Sequence, residues 1–177
     1  MKTKTLSFFL VLVFSLLFTQ PVYAQGGGPP QYDGTIVGAN GEIFYVDVFE
    51  KIGKANLPAN ILTAHEALAA SGCKSLTNGV NIYNGFGQLM LQYSQKVDWC
   101  YNGSTITSVS HTKTPVVYSP TCAYQGLLGH KHYGGVGSTS YNAYSLARFY
   151  CQFFQNVYPW VDQYVYGNGN YSGQAGY

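Results

Sequence analysis

The stretch that decides the fold is residues 87–110, "GQLMLQYSQKVDWCYNGSTITSVS". Apolar and polar residues alternate along it. Leu91, Tyr93, Val97, Trp99 and Tyr101 share one side, and Met90, Gln92, Ser94, Lys96, Asp98 and Cys100 share the other. A period of two marks an extended strand with one face buried, because successive side chains point to opposite faces. Asn102-Gly103 then interrupts the alternation. Asn-Gly readily adopts the left-handed conformation a tight hairpin turn requires, so "STITSVS" is expected to return antiparallel.

The same reading extends along the chain. Further strands are expected at "VVYS" (116–119), "CAYQGLL" (122–128), "TSYNAYSLARFYCQFF" (139–154) and "PWVDQYVYG" (159–167). Several short strands separated by turn signals indicate a sandwich or barrel. Upstream, "TIVGANGEIFYVDVF" (35–49) carries a second hairpin signal at Asn40-Gly41. A short buried helix from Glu42 fits the same letters, because periodicity does not separate the two over so short a run. Residues 60–72, "NILTAHEALAASG", read as a helix capped by Asn60 and ended by Gly72. Ile61, Leu62, His65, Leu68 and Ala69 would form its apolar stripe, with His65 in the core and Glu66 solvated. After Asn78-Gly79 the period changes to two. The expected fold class is α+β, predominantly β: an antiparallel β-sandwich over 79–177, with a short helical and hairpin N-terminal portion over 35–78.

The first 24 residues have two lysines, an apolar run from Leu6 to Phe18, and Val22-Tyr23-Ala24 before a cut. That layout is a secretory signal peptide. Its apolar run is shorter than the ~20 residues of a membrane span. "QGGGPPQYDG" (25–34) reads as a flexible leader. Removing residues 1–24 also removes Lys2 and Lys4, leaving seven basic and seven acidic residues and a formal charge of zero. No basic patch remains to neutralise phosphates, so nucleic acid and anionic membrane are not expected partners. The chain is expected to be secreted. Cys73, Cys100, Cys122 and Cys151 are an even set, without a CxxC pair, and in an exported chain they read as two disulfides. Three pairings are open.

Three chemistries can be weighed from single residues. His130 and His132 lie two apart in "GLLGHKHYGGVGSTSY" (126–141), and His111 is a candidate third ligand. On a strand the first two would point the same way and could share a metal. The glycines around them instead indicate a mobile loop, so no resident metal and no cofactor are expected. Asp98 beside Trp99, and Asp162 near Trp160, are candidate catalytic carboxylates for a glycosidase, which needs two acids about 5–9.5 Å apart. The plainer reading places each on an outward strand face. No GxSxG elbow occurs, and paired cysteines leave no activated thiol. Aromatic side chains offer the third chemistry. Of the 17 tyrosines, 16 follow the signal segment, and Trp160, Tyr164 and Tyr166 share one face of "PWVDQYVYG". With Tyr101 they are the candidate binding residues, since rings stack on flat apolar surfaces while keeping polar tips wet.

The runs "VNIYNGFGQLMLQYSQKVDWCYNGSTITS" (80–108), "YGGVGSTSYNAYSLARFYC" (133–151) and "YPWVDQYVYGNGNYS" (158–172) resemble a group of small exported β-rich bacterial proteins. That group shares a WCY-[ND]-G hairpin, a Gly-rich loop, a strand ending in cysteine, and a YPW segment before a terminal GNG turn. The resemblance implies a pairing of Cys100 with Cys151, which leaves Cys73 with Cys122. It carries no activity with it. The expectation is therefore a secreted, non-catalytic β-sandwich engaged in extracellular interaction. Its partner would be a cell-wall or other extracellular glycan, or a surface protein. A hydrolase using Asp98 and Asp162, or a metal-binding protein using the histidine segment, are the alternative readings.

Overall fold

The computed structural model describes residues 32–55 and 71–177. These form ten β-strands: β1 (Gly34–Val37), β2 (Ile43–Gly53), β3 (Gly72–Tyr83), β4 (Leu89–Tyr101), β5 (Ile106–Val117), β6 (Cys122–Gly134), β7 (Ser140–Cys151), β8 (Gln155–Val157), β9 (Trp160–Tyr166) and β10 (Tyr171–Gly176). No helix occurs among the described residues. The strands make two antiparallel sheets. Sheet A runs β1-β2-β3-β4-β5. Sheet B runs β10-β9-β7-β6, with β8 also on β7. β8 and β9 occupy one edge of β7 in succession. The break between them holds Pro159, which lacks an N–H but still accepts from the Ala147 amide at 2.9 Å. Each sheet is thus a meander in sequence order, and the segment after Val117 carries the chain from one to the other.

Both Asn-Gly hairpins form. Gly41 and Gly103 take φ of 86° and 93°, values that cost a side-chain-bearing residue but not glycine. Asn102 Oδ1 accepts from the Ser104 and Thr105 amides and locks the β4–β5 turn. The segment after Glu42 is strand, paired from Ile43 onward with β1 and then with β3. The alternation in β4 places Leu91, Tyr93, Val97 and Trp99 in the core, each fully buried.

Four expectations are corrected, the first of them only at its C-terminal residue. The helix over 60–72 lies outside the described residues apart from Ser71 and Gly72, and Gly72 opens β3 instead of closing a helix. The boundary at residue 79 falls inside β3. Asn78-Gly79 is no turn: a Cβ on Gly79 would meet the Phe49 ring at 2.6 Å, so glycine is there to let a cross-strand aromatic lie on the backbone. The signal segment and residues 25–31 lie outside the described residues. The end of the expected leader is bound, with the Tyr32 ring stacked on Tyr45 at 4.6 Å and Asp33 Oδ2 accepting from the Val48 amide at 2.6 Å.

The fourth correction concerns the cysteines. The bridges are Cys73–Cys100 and Cys122–Cys151, not Cys100–Cys151 and Cys73–Cys122. The reason is register and face. Cys73 stands directly opposite Cys100 on β3 and β4, and Cys122 directly opposite Cys151 on β6 and β7. Cys100 belongs to sheet A, on the parity of its outward residues, and Cys151 is buried on the inner side of sheet B. No bridge can join them. Two disulfides fit an oxidising compartment.

The inner faces of both sheets share one core, which divides in two. One cluster includes Phe44, Val46, Ile82, Tyr93, Phe149 and Val161. The other includes Leu76, Val97, Trp99, Ile106, Tyr141 and Val165. Between them runs a polar belt one residue deep. In sheet A it follows the register Glu50–Asn78–Gln95–Lys113, and in sheet B Gly173–Gln163–Ala143–His132. The fully buried Gln95 and Gln163 tie the sheets together. Gln95 Nε2 donates to Gln163 Oε1 at 3.1 Å and to the Ala143 carbonyl at 2.9 Å. Gln163 Nε2 donates to Asn78 Oδ1 at 2.9 Å, and Asn78 Nδ2 in turn donates to Glu50 Oε2 at 3.0 Å. Burying amides without partners costs free energy, so the bonded arrangement favours one alignment of the sheets over slipped ones.

Candidate functional site

The outer face of sheet B gathers the expected aromatics. On β9 the inward residues are Val161, Gln163 and Val165, all fully buried. Trp160, Asp162, Tyr164 and Tyr166 therefore point outward, as the alternation implies. Neighbouring strands extend this face in rows set by register. One row reads Gln174–Asp162–Tyr144–Lys131 and the next Ser172–Tyr164–Asn142–Tyr133. A third reads Gly176–Trp160–Leu146–Gly129. Rings and short polar groups thus alternate across the sheet as well as along it. Tyr164 and Tyr166 keep 41% and 37% of their surface exposed, and Tyr133 keeps 64%. The Trp160 indole lies over the backbone of Gly176, where a Cβ would meet it at 2.9 Å; it therefore adds area without rising far from the sheet. Asn142 Nδ2 donates to Asp162 Oδ1 at 2.6 Å and holds the carboxylate between the rings.

Tyr101 does not belong to this face. It continues the inward parity of Val97 and Trp99 on β4 and closes the end of the core, where it packs over Gly169 and near Trp99. Lys74 Nζ stands 5.6 Å from its ring and donates to the Gly169 carbonyl. That is a capping role for the tyrosine.

Asp98 and Asp162 are not brought together. Asp98 projects from the outer side of sheet A, paired with Lys96 at 2.9 Å, while Asp162 projects from the outer side of sheet B. Two sheets about 10 Å apart separate them, and both side chains point away from the core. The carboxylate pair of a glycosidase is not formed by these residues.

The histidines are placed differently from expectation. "GLLGHKHYG" is strand, not mobile loop, and the turn comes at residues 135–139. Register shifts at Tyr124/Gly126 and Leu127/Gly129 absorb the glycines. His130 and His132 pair with the inward-facing Ser145 and Ala143, so they share the inner side of β6. His111 sits on the inner side of β5, opposite Val97. The two edge strands run alongside one another where the sheets meet. The His111 and His132 rings lie 5.7 Å apart, and Tyr141 Oη is 2.6 Å from His111 Nδ1. Burial, reinforced by Lys113, His132 and His130, lowers the His111 pKa below its ordinary value. Among the described residues no group of three or more His, Cys, Asp or Glu side chains is already placed to hold a metal.

Tyr144, Asn142 and Gln174 went unread in the sequence. The signal for the first two was present: in "SYNAYSLARFYC" the buried parity of Tyr141, Ala143, Ser145 and Ala147 throws Asn142 and Tyr144 outward. Comparisons with family models, curated proteins and solved structures return no match to this chain.

Proposed function

We propose that this is a secreted, non-catalytic β-sandwich that binds an extracellular glycan, such as cell-wall polysaccharide, across the outer face of sheet B. The observation that carries the reading is the interleaving of Trp160, Tyr164, Tyr166, Tyr144 and Tyr133 with Asp162, Asn142, Gln174 and Ser172 on one regular surface. Sugar rings present apolar C–H faces and a rim of hydroxyls. An array of partly exposed rings meets the first, and amides and a fixed carboxylate meet the second. The formal charge of zero after signal removal leaves contact chemistry, not long-range attraction, to do the binding. The two intrasheet disulfides suit an oxidising exterior.

The test is retention on isolated cell wall and on insoluble polysaccharides, comparing wild type with Trp160→Ala after circular dichroism shows the fold intact. Retention of wild type with loss in the variant supports the reading. Equal retention removes this face from the function.

A further inference from the structure

Three of the chain's four histidines come from two strands of different sheets and gather at one seam. Nothing in the proposed glycan face requires this. We propose that the β5–β6 seam is a binding site for one divalent transition-metal ion, held between the sheets by the imidazoles of His111 and His132.

The geometry sets the terms. Two imidazoles sharing an ion at about 2.0–2.1 Å per bond place their ring centres roughly 5–6.5 Å apart, for angles from tetrahedral to linear. The observed separation of 5.7 Å lies in that window. One tautomer of His111 suits a metal ligand. Its Nδ1 meets Tyr141 Oη at 2.6 Å, and with the proton on Nδ1 the lone pair of Nε2 is free for the ion. Tyr141 is itself buried to 4% exposure, so the hydrogen bond anchors the ring to the core.

The surroundings select the class of ion. β5, β6 and β7 carry no aspartate or glutamate, so the seam has little to offer calcium or magnesium, which want oxygen ligands. Neutral imidazoles suit Cu(II), Ni(II) and Zn(II), with Cu(II) the tightest by the Irving–Williams order. The site is an open clamp and not a closed cage, since among the described residues no third ligand of the usual kinds stands in place. His130, two residues from His132 on the same side of β6, is the candidate for a third. An ion bound here would tie β5 to β6, two strands that share no backbone ladder.

The experiment is calorimetric titration of signal-free, untagged protein with Cu(II) and with Zn(II) near neutral pH, alongside electron paramagnetic resonance of the copper-loaded protein. Wild type is expected to bind one equivalent, with nitrogen couplings from at least two imidazoles, Cu(II) tighter than Zn(II). The exposed His132→Ala should abolish that equivalent with the fold intact by circular dichroism. Tyr141→Phe should weaken it by about 10–100-fold, the usual effect of losing a partner that orients a ligand. His65→Ala should leave it unchanged. Binding that survives His132→Ala, follows His65, or exceeds one equivalent without saturating would overturn the proposal, as would no binding by wild type.

Discussion

The two outer faces of the molecule are built from the same strand alternation and come out unlike. On sheet A the polar side chains satisfy one another. Gln92 Nε2 donates to Asn81 Oδ1, Asn81 Nδ2 donates to Asp47 Oδ2, and Lys96 pairs with Asp98. The Cys73–Cys100 bridge stitches the same layer. On sheet B, among the described residues, only Asp162 and Asn142 are joined in this way, and the face is otherwise rings with short polar groups between them. A surface whose groups already hold each other has little to gain from a partner. One that leaves rings half exposed and polar tips wet does gain, because a flat ligand removes apolar area from water without breaking internal bonds. The difference lies in side-chain choice and not in backbone, so it can be broken by substitution.

The largest expected effect separates the layers by their disulfides. The bridges close segments of nearly equal length, with separations of 27 and 29 residues, so loop entropy assigns each about 3–4 kcal/mol. Cys122–Cys151 additionally packs in the core, with Cys151 fully buried. Replacing both of its cysteines by alanine should therefore lower the urea-derived stability by more than the same change at Cys73 and Cys100. Equal losses would mean that face and burial add nothing to the crosslink. Next comes the belt that aligns the two layers. Gln163→Leu removes the donor to Asn78 Oδ1 and the acceptor of Gln95 Nε2, leaving buried amide groups short of partners. A loss of about 2–3 kcal/mol is expected. A stabilised variant would show that the belt serves no packing role.

How much of this was legible follows from which residues carry it. The alternation of Leu91, Tyr93, Val97 and Trp99 and the two Asn-Gly turns are local, and they predict the strands. Gln95 lies on the same parity as those residues, and Gln163 sits between Val161 and Val165; an amide in an apolar column was a readable sign of the belt. The parity of Cys100 and Cys151, one polar and one apolar, spoke against joining those two, but the actual pairs rest on the register of β3 with β4 and β6 with β7. The resemblance to exported proteins pointed the other way and misled. The seam was legible in its residues and not in its geometry: the sequence set His111 beside His130 and His132 as candidates, but His111 and His132 meet only because β5 and β6 edge different sheets, a relation no local pattern contains. The contrast between the outer faces was half legible, since strand parity is local but the rows joining β10, β9, β7 and β6 depend on register.

A pH effect probes the interior between the faces. Burial pushes the Tyr93 phenol up to about 12. The folded state thus holds this proton more tightly than the unfolded chain, whose phenol titrates near 10. Its contribution is complete below pH 10 and is lost as pH rises from 10 to about 12. The full loss is on the order of 2–3 kcal/mol at about 1.4 kcal/mol per unit. Tyr93→Phe should flatten that part of the alkaline stability curve. At neutral pH it should cost little, because Tyr93 Oη has no hydrogen-bond partner to lose among the described residues. An unchanged alkaline limb in denaturant titrations would assign the effect to other tyrosines.

The smallest effect on stability is the most informative about the faces. Tyr164→Ala on sheet B and Gln92→Ala on sheet A both alter outward side chains, and each should shift stability by no more than about 1 kcal/mol. Their binding consequences should diverge. Tyr164 lies between Ser172 and Asn142 with 41% of its surface exposed, so its loss removes stacking area from the middle of the array. Gln92 gives up one hydrogen bond to Asn81 on a face whose rings, Tyr32, Tyr45 and Tyr83, already pack on one another. In a polysaccharide pull-down, Tyr164→Ala should release the protein at lower competitor concentration than wild type, and Gln92→Ala should track wild type. The reverse order would move the binding surface to sheet A, and it would mean that a face of mutually bonded polar groups is not inert after all.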